Sequence, residues 1–142
     1  MSEENKAIIK RFYEELDKGN FDIYDELCTP DFISHFPGNP QPIDRETRKQ
    51  TSRMFYAAIP DCKHTLEDTI AEGNKVSFRG SARGTHTGAF RGQPPTGNSV
   101  MFTGMRFYRI VDGKIAEEWA SFDSLALMQQ LGVIPALEES KE

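Results

Sequence analysis

The sequence predicts an α+β domain in which helices pack on one face of an antiparallel sheet. Helical periodicity comes first, because the opening segment has a single apolar stripe, formed by Ile9, Phe12, Tyr13 and Leu16. Strand-like runs make up most of the rest, and two hairpin turn signals join them in pairs, Glu72-Gly73-Asn74 and Asp112-Gly113. Helices followed by paired strands are typical of this fold class.

Helix-capping residues, apolar stripes and helix-breaking residues predict the order and bounds of the helices and strands. Helices are predicted over residues 2–18, 21–28 (a short turn), 45–59 after an Asp44 cap, and 125–131 between Ser124 and Gly132. The apolar stripe of the third helix is Thr51, Met54, Phe55 and Ala58. Strands are predicted over 62–71, 75–87, 100–111 and 114–123, and residues 31–36 are expected to be extended before a proline-rich loop at 37–42. Residues 138–142 are expected to form a frayed tail.

Composition excludes several classes of protein. The 142 residues suit one domain with one core, spanning residues 1–142. Hydrophobic residues at 37% and charged residues at 27% argue against disorder, and a net charge of −5 argues against a protein that binds nucleic acid by neutralising phosphates. No apolar run reaches about 18 residues, so no membrane span is expected. The polar N-terminus and two separate cysteines, Cys28 and Cys62, indicate a reduced, cytoplasmic protein.

Strand alternation predicts which side chains point to the interior. On the strand at 75–87 the inward set is apolar or small and ends in a histidine: Val76, Phe78, Gly80, Ala82, Gly84 and His86. On the last strand one face carries Ile115, Glu117, Trp119, Ser121 and Asp123. A large aromatic beside carboxylates suits the floor of a pocket, and it equally suits a surface covered by a partner subunit. Glycines within a strand leave room for a cavity above it.

Asp123 is the first candidate for an acid–base group. In an apolar cavity, burial would raise its pKa, and a carboxyl group tuned in this way exchanges protons with carbon or oxygen. Asp is also a favoured N-cap, so a second role for Asp123 is to start the last helix. His86 could polarise a substrate carbonyl and His35 could close the cavity mouth. Their alternatives are a buried histidine bonded to the backbone and an exposed loop histidine.

Motifs for metals, phosphates and nucleophiles are weak in this chain. The three histidines have no His-x-His or His-x-x-x-His spacing, so no metal site is predicted. The glycines between residues 88 and 97 do not open a helix, which leaves a phosphate cradle unsupported. No Gly-x-Ser-x-Gly motif occurs. His64 alternates with Leu66 and Ile70, and no other pattern recommends it as a site residue.

Several segments together resemble the SnoaL-like polyketide cyclase (ester cyclase) family. The resemblance extends over residues 5–135 and is carried by Gly84-Thr85-His86-Thr87-Gly88, Pro94-Pro95-Thr96-Gly97, Asp112-Gly113-Lys114-Ile115, Glu118-Trp119 and Asp123. It implies a nuclear transport factor 2-like α+β cone around a hydrophobic cavity, usually in a homodimer. It also implies closure of a ring in an aromatic polyketide ester by intramolecular aldol condensation, without a metal or organic cofactor. Asp123 matches the family's catalytic aspartate, and His35 and His86 match recurring histidines.

Three functions are therefore open. The first is a cofactor-independent lyase or isomerase for a small apolar carbonyl compound, in which Asp123 moves a proton while His86 and His35 position the carbonyl. The residues predicted to line its cavity are Trp119, Phe78, Tyr13, Phe55 and Met105. The second is a binding module with the same cavity and no chemistry, and the third is a dimeric domain whose sheet face is only an interface. Convergence of Asp123 and the two imidazoles on one dry cavity favours the enzyme, whereas an Asp123 held in its helix cap favours the binder.

Overall fold

The computed structural model describes residues 2–135, and it confirms the α+β class. Its helices are α1 (Ser2–Asp17), α2 (Ile23–Leu27), α3 (Arg45–Ala58) and α4 (Ser124–Gln130). Its strands are β1 (Cys28–His35), β2 (Ile43–Asp44), β3 (Lys63–Glu72), β4 (Lys75–Thr85), β5 (Ser99–Val111) and β6 (Lys114–Phe122). The predicted tail at residues 138–142 lies outside the described residues. No helix within residues 2–135 is long and apolar enough to cross a membrane.

All six strands join in one curved, unclosed sheet with the order β2-β1-β6-β5-β4-β3. Neighbouring strands are antiparallel except β1 and β6, which are parallel. Helix α1 packs on β3 and β4, α3 packs on β1 and β2, and α4 packs on β5. The helices and the inner face of the sheet therefore enclose the core between them.

Three short-range features of the sequence form the structures that they predict. The predicted stripe of α1 is buried, at Ile9, Phe12, Tyr13 and Leu16. The turn between β5 and β6 has positive φ at both Asp112 (50°) and Gly113 (76°), as a two-residue hairpin turn of type I′ demands. Asp44 caps α3 as predicted, because its side chain accepts a hydrogen bond from the Thr47 backbone N–H at 2.8 Å.

Helix α3 differs from its predicted amphipathic pattern. Three residues of its predicted stripe, Thr51, Met54 and Phe55, are not fully buried, and Met54 is 46% exposed. The buried face instead includes Arg48 and Ser52. A helix can bury polar side chains in this way only when they find partners in the interior. The polar face of α3 therefore points to a charged interior site.

A bulge in β6 reverses the predicted inner and outer faces of that strand. Ile115 pairs with Ile110, but Glu117 pairs with the preceding residue, Arg109, so Ala116 is an extra residue on β6. Ile115 is buried as expected, yet beyond the bulge the inward residues are Glu118, Ala120 and Phe122 rather than Glu117, Trp119 and Ser121, because each pairs with an inward residue of β5. The prediction that Glu117 and Trp119 form a pocket floor is wrong for this reason.

Candidate functional site

The concave side of the sheet encloses a cavity of about 200 Å³. Helices α1, α3 and α4, strands β3, β5 and β6, and two loops contribute to its wall. Its apolar wall includes Leu16, Phe36, Phe55, Phe90, Phe102, Phe122, Leu127 and Met128. Its polar wall includes Tyr13, Arg48, Ser52, His64, Arg91 and Arg106. The cavity is thus aromatic on most sides and basic at several points.

A buried carboxylate lies behind the two inner arginines. Glu118 on β6 is 1% exposed, and its Oε1 accepts hydrogen bonds from Arg48 Nε at 2.8 Å and from Ser34 Oγ at 2.6 Å. Its Oε2 accepts from the Tyr108 hydroxyl at 2.9 Å and lies 3.5 Å from Arg106 Nη1. These contacts give the carboxylate the partners that a buried charge needs.

The two arginines keep Glu118 ionised. Burial alone would raise the pKa of Glu118, but Arg48 and Arg106 outweigh burial and, with the Ser34 hydrogen bond, lower it from 4.5 to about 2. Burial lowers the pKa of both arginines, but Glu118 and Tyr24 raise that of Arg48, and Tyr13, Tyr108 and Glu118 raise that of Arg106, so both values end above the ordinary one. Two guanidinium cations at the cavity wall and one carboxylate behind them are therefore charged at neutral pH.

Arg106 is less well satisfied than Arg48. Arg48 donates through Nε to Glu118 and through Nη1 to Ser52 Oγ at 2.9 Å. Arg106 Nη1 is buried and has no hydrogen-bond partner among the described residues. Its guanidinium lies over the rings of Tyr13 and Phe122, 5.7 Å and 5.2 Å from their centroids. Arg106 Nη1 thus lies in ion-pair range of Glu118 but makes no hydrogen bond.

A histidine and a carboxylate form a second polar group on the cavity wall. His64, at the start of β3, places Nδ1 2.8 Å from Asp17 Oδ1, while its backbone N–H donates to Asp17 Oδ2 at 2.8 Å. The Tyr56 hydroxyl also donates to Asp17 Oδ1, at 2.6 Å. Asp17 is the last residue of α1, so the helix end and the edge strand meet at this contact. Three donors hold the carboxylate in place behind the imidazole.

His64 is neutral near neutral pH. Burial lowers the pKa of His64 below its ordinary value of 6.5; Asp17 opposes this shift, and Arg106 and Arg48 add to it. A neutral imidazole that donates from Nδ1 to a carboxylate keeps its lone pair on Nε2. This arrangement of carboxylate and imidazole is the one that orients a histidine as a general base.

The same region contains a group of potential metal ligands. Asp17, Cys62 and His64 each offer one ligand atom, and these atoms all lie within 4.8 Å of one another. Burial raises the pKa of the Cys62 thiol, with Asp17 and Asp61 adding to the shift, so the thiol is protonated. A metal would have to displace that proton and compete with the hydrogen bonds of Asp17. The group therefore fits a hydrogen-bonded dyad better than a metal centre.

The structure does not bring together the three residues predicted to be catalytic. Asp123 is exposed, and its Oδ1 caps α4 by accepting from the Ala126 N–H at 3.1 Å. The expectation that its carboxylate faces the cavity is wrong, and Asp123, not Ser124, supplies the cap. His86 is fully buried in the loop after β4, where its Nδ1 accepts from Thr96 N–H and contacts Thr96 Oγ1 at 2.9 Å. His86 does not line the cavity.

His35 lies on the outer face of the sheet. Its Nε2 is 2.7 Å from Glu117 Oε2, and its ring stacks on Trp119 with centroids 5.1 Å apart. Met105 is on the same face and is 63% exposed. The bulge in β6 is not visible in the sequence and accounts for the outward position of Trp119, which His35 of β1 pairs with, whereas Met105 is outward because it alternates with the inward residues of β5.

The predicted lining residues divide between the cavity and its surroundings. Tyr13 and Phe55 line the cavity, as expected. Phe78 points inward but lies behind Tyr13, with ring centroids 5.3 Å apart. Sequence reasoning missed Arg48, Arg106, Glu118, His64 and Asp17. Arg106 had a signal, since it interrupts the inward alternation of Val100, Phe102, Gly104, Tyr108 and Ile110 on β5.

A family model for SnoaL-like polyketide cyclases matches residues 7–131. The chain belongs to the SnoaL-like polyketide cyclase family. Comparison with curated proteins gives no match.

Solved structures agree with this membership. IdmH of Streptomyces antibioticus, described as a candidate polyketide cyclase, is 33% identical with a TM-score of 0.81, over 90% of this chain and 98% of that chain. A candidate SnoaL-like polyketide cyclase of Jannaschia sp. is 25% identical with a TM-score of 0.84, and the match covers 95% of this chain and 96% of that chain. AclR of Streptomyces galilaeus is described as a candidate hydroxylase. Its TM-score is 0.87 at 24% identity, and the match covers 98% of this chain and 87% of that chain, so it shows that the fold is shared. These neighbours carry different activities in their descriptions, so the reaction must be argued from the site.

Proposed function

We propose that this protein catalyses proton transfer next to a carbonyl group of a compact apolar substrate, as in an intramolecular aldol ring closure, without a cofactor. One observation carries the proposal: His64, oriented by Asp17, and Arg106, a guanidinium cation, line the same aromatic cavity. A base and a hydrogen-bond donor to the developing oxyanion are the two groups that enolisation needs. Membership in a family of polyketide cyclases supports the same chemistry.

The proposed reaction begins at Nε2 of His64. This nitrogen takes the proton from the carbon beside the carbonyl, and Asp17 stabilises the imidazolium that results. The electron pair of the broken C–H bond moves onto the carbonyl oxygen, and Arg106 stabilises the enolate. The enolate carbon then forms a bond to a second carbonyl carbon of the same substrate. The new alkoxide takes the proton back from His64, so the protein ends in its starting state.

Asp123 receives a different role in this proposal. The resemblance to the family assigns it acid–base work, but its carboxylate is exposed and committed to the first turn of α4. Ser124, Leu127 and Met128 of that helix line the cavity. We infer that Asp123 supports the cavity wall by fixing the start of α4, and that it does not move the proton.

A non-catalytic binding module of the same fold is the second candidate. It is favoured by the specific observation that Asp123, His86 and His35 do not converge. The two candidates differ over His64, because a passive binder has no need of a neutral imidazole oriented by a carboxylate.

Two reactions measured side by side test the proposal. The first is ring closure of polyketide-like methyl esters that contain a 1,3-dicarbonyl unit, followed by mass spectrometry. The second is deuterium uptake at the carbon beside the carbonyl in D₂O, which reports proton removal without requiring ring closure. His64→Asn should lower both rates by about 10²–10⁴-fold. His35→Asn is the matched control, since His35 is also paired with a carboxylate but lies on the outer face.

The outcomes separate the candidates. Equal rates for the wild type and His64→Asn, or loss of activity in Asp123→Asn alone, would overturn the assignment of the base. The activity should also fall at acidic pH as His64 becomes protonated, with a midpoint below 6.5 because burial lowers the pKa of this imidazole. An acid limb that persists in His64→Asn contradicts the proposal.

We also propose that the protein is a homodimer joined through the outer face of the sheet. This face carries Met105 (63% exposed) and Phe107 (40% exposed) beside the stacked pair of Trp119 and His35. Clustered exposed apolar side chains of this kind mark interaction surfaces. The mass of the particle in solution, measured by light scattering, tests this proposal.

We further propose that the protein works in the cytoplasm. Cys28 and Cys62 are both buried and unpaired, which suits a reducing compartment. Fractionation of cells that produce the protein tests this, and recovery mainly outside the cytoplasm would overturn it.

A further inference from the structure

The cavity has more positive than negative charge. Arg48 and Arg106 reach its wall, and Glu118 is the carboxylate that both of them contact. No Asp or Glu lines the cavity itself within residues 2–135. The two guanidinium groups therefore share one carboxylate, Glu118, while the nearby Asp17 carboxylate is hydrogen-bonded to His64 and Tyr56.

Arg106 is the less well paired of the two arginines. Arg48 forms a direct hydrogen bond to Glu118, whereas Arg106 reaches the same carboxylate only at 3.5 Å and leaves its buried Nη1 without a hydrogen-bond partner among the described residues. The Arg106 side chain is 9% exposed. A buried cation that shares its counter-ion and leaves a donor without a hydrogen bond is stabilised when a second anion pairs with it.

Neighbouring phenols do not supply the missing negative charge. Tyr13 and Tyr108 share a short hydrogen bond beside Arg106. Burial raises the pKa of both hydroxyls, with Glu118 adding to the shift, so both are neutral at physiological pH. Neither phenol therefore pairs with Arg106 as an anion, and a bound ligand can supply one.

The shape of the site defines the kind of anion. A guanidinium is planar and pairs best with a planar group that offers two oxygens. The rings of Phe55, Phe102 and Phe122 form apolar walls around the same space. Its volume of about 200 Å³ is below the roughly 300–1,000 Å³ of sites for drug-sized ligands, which favours a compact molecule.

We infer that this cavity holds its ligand as a planar oxyanion, a carboxylate or an ionised 1,3-dicarbonyl, paired with Arg106 before any chemistry occurs. The inference rests on the proposed function in using the same cavity, and it narrows the substrate to molecules that are already acidic. The site should therefore bind neutral esters that lack an ionisable group less tightly than it binds anions. Arg91, which lines the cavity and whose guanidinium lies 5.1 Å from the ring centroid of Phe90, adds a further positive charge to its wall.

Binding of three probes tests the inference without measuring turnover. The probes are 2-naphthoate, its neutral methyl ester, and benzoylacetone, a 1,3-diketone whose enolate has its own ultraviolet spectrum. By calorimetry, naphthoate should bind about 10- to 100-fold more tightly than the ester, as a hydrogen-bonded charge pair predicts. The pKa of bound benzoylacetone should fall by about one unit or more, which corresponds to a tenfold preference for the enolate. The two anions distinguish a carboxylate site from an enolate site.

Single-residue variants test whether Arg106 causes the preference for anions. Arg106→Gln should abolish the preference for anions, and Arg106→Lys should retain part of it, which guards against a glutamine variant that fails to fold. Arg109→Gln, on the outer face beside Glu117, should behave as the wild type. His64→Asn should still bind naphthoate, so loss of turnover in that variant and loss of anion binding are separate results. Equal affinity for acid and ester together with no shift for benzoylacetone, or equally tight binding of inorganic phosphate, would overturn the inference.

Discussion

Glu117 and Glu118 are adjacent on β6 and have opposite surroundings. Glu118 faces inward, is 1% exposed, and accepts hydrogen bonds from Arg48, Ser34 and Tyr108. Glu117 faces outward, with its side chain 16% exposed, and contacts His35 at 2.7 Å and Arg109 at 3.2 Å. The comparison teaches that burial, rather than residue type, decides the role of each carboxylate.

The different properties of the inner and outer faces of β6 follow from this difference in burial. On the inside, removal from water makes charges costly, so Glu118 must be matched by arginines, and their excess sets the charge of the cavity. On the outside, Glu117 is partly solvated, and its ion pairs organise a surface that contains Trp119 and Phe107. The first side suits a ligand, and the second suits a protein partner.

Neutralising the inner carboxylate should have the largest effect on stability. Glu118→Gln leaves Arg48 and Arg106 without their counter-ion, and breaking a buried pair of this kind costs about 3–5 kcal/mol in the free energy of unfolding. Glu117→Gln should cost about 0–1 kcal/mol. Urea unfolding measures both. Similar losses for the two variants would contradict the contrast between the faces.

A double variant sharpens the same contrast. Glu118→Gln combined with Arg106→Gln leaves one buried guanidinium instead of two, so it should be more stable than the sum of the single effects predicts. The matched pair on the outer face, Glu117→Gln with Arg109→Gln, should be additive. Strong coupling outside and none inside would reverse the comparison.

Acid should erase the advantage of the inner carboxylate. The folded-state pKa of Glu118, about 2, lies below its ordinary value of 4.5, so its contribution is complete above pH 4.5. That contribution is lost as pH falls from 4.5 towards 2. The difference in unfolding free energy between wild type and Glu118→Gln should therefore shrink over this window, as acid-range urea titrations would detect. A constant difference would mean that Glu118 is not the titrating group.

A change on the outer face should act on association. Trp119→Ala removes a large ring stacked on His35 and packed edge-on against Phe107 at 5.6 Å. If this face joins two copies, the change should weaken the dimer by about 30-fold, as loss of a central aromatic at an interface does. Light scattering on a dilution series measures the mass. A wild-type particle with the mass of one chain at all concentrations would reject the interface.

The smallest expected effect belongs to Asp123. Asp123→Ala should cost about 1 kcal/mol, because it removes the N-cap of α4. Asp44→Ala, which removes the corresponding cap of α3, should cost a similar amount. Asp123→Asn should be nearly neutral, since Asn caps as well as Asp. A large loss of turnover in Asp123→Asn with unchanged stability would restore the carboxylate to a catalytic role.

Local chemistry made much of the fold predictable. The stripe of α1, the Asp44 cap and the Asp112-Gly113 turn each depend on residues close in sequence, and each is confirmed. The boundaries of the later strands also follow from turn signals. Resemblance to the SnoaL-like family was readable from motif order and is confirmed over residues 7–131.

The site was less predictable because it depends on pairs that are distant in the chain. Asp17 and His64 are 47 positions apart, and Arg48 and Glu118 are 70 apart. Each looks like an ordinary surface residue until the sheet curves and the helices close over it. Tyr13 could be recognised as a lining residue because the apolar stripe of α1 points to the core, and Phe55 because it belongs to the predicted stripe of α3, which is only partly buried.

The sequence by itself determined which segments become helices and strands, where they turn, and which family the chain joins, since these depend on side-chain periodicity and turn chemistry. Only the tertiary structure decided which face of β6 looks inward. A single extra residue, Ala116, shifts the register, so that Glu118 rather than Glu117 points inward behind the cavity wall. The physical reason is that strand alternation has a period of two, so one bulged residue inverts every side chain that follows it.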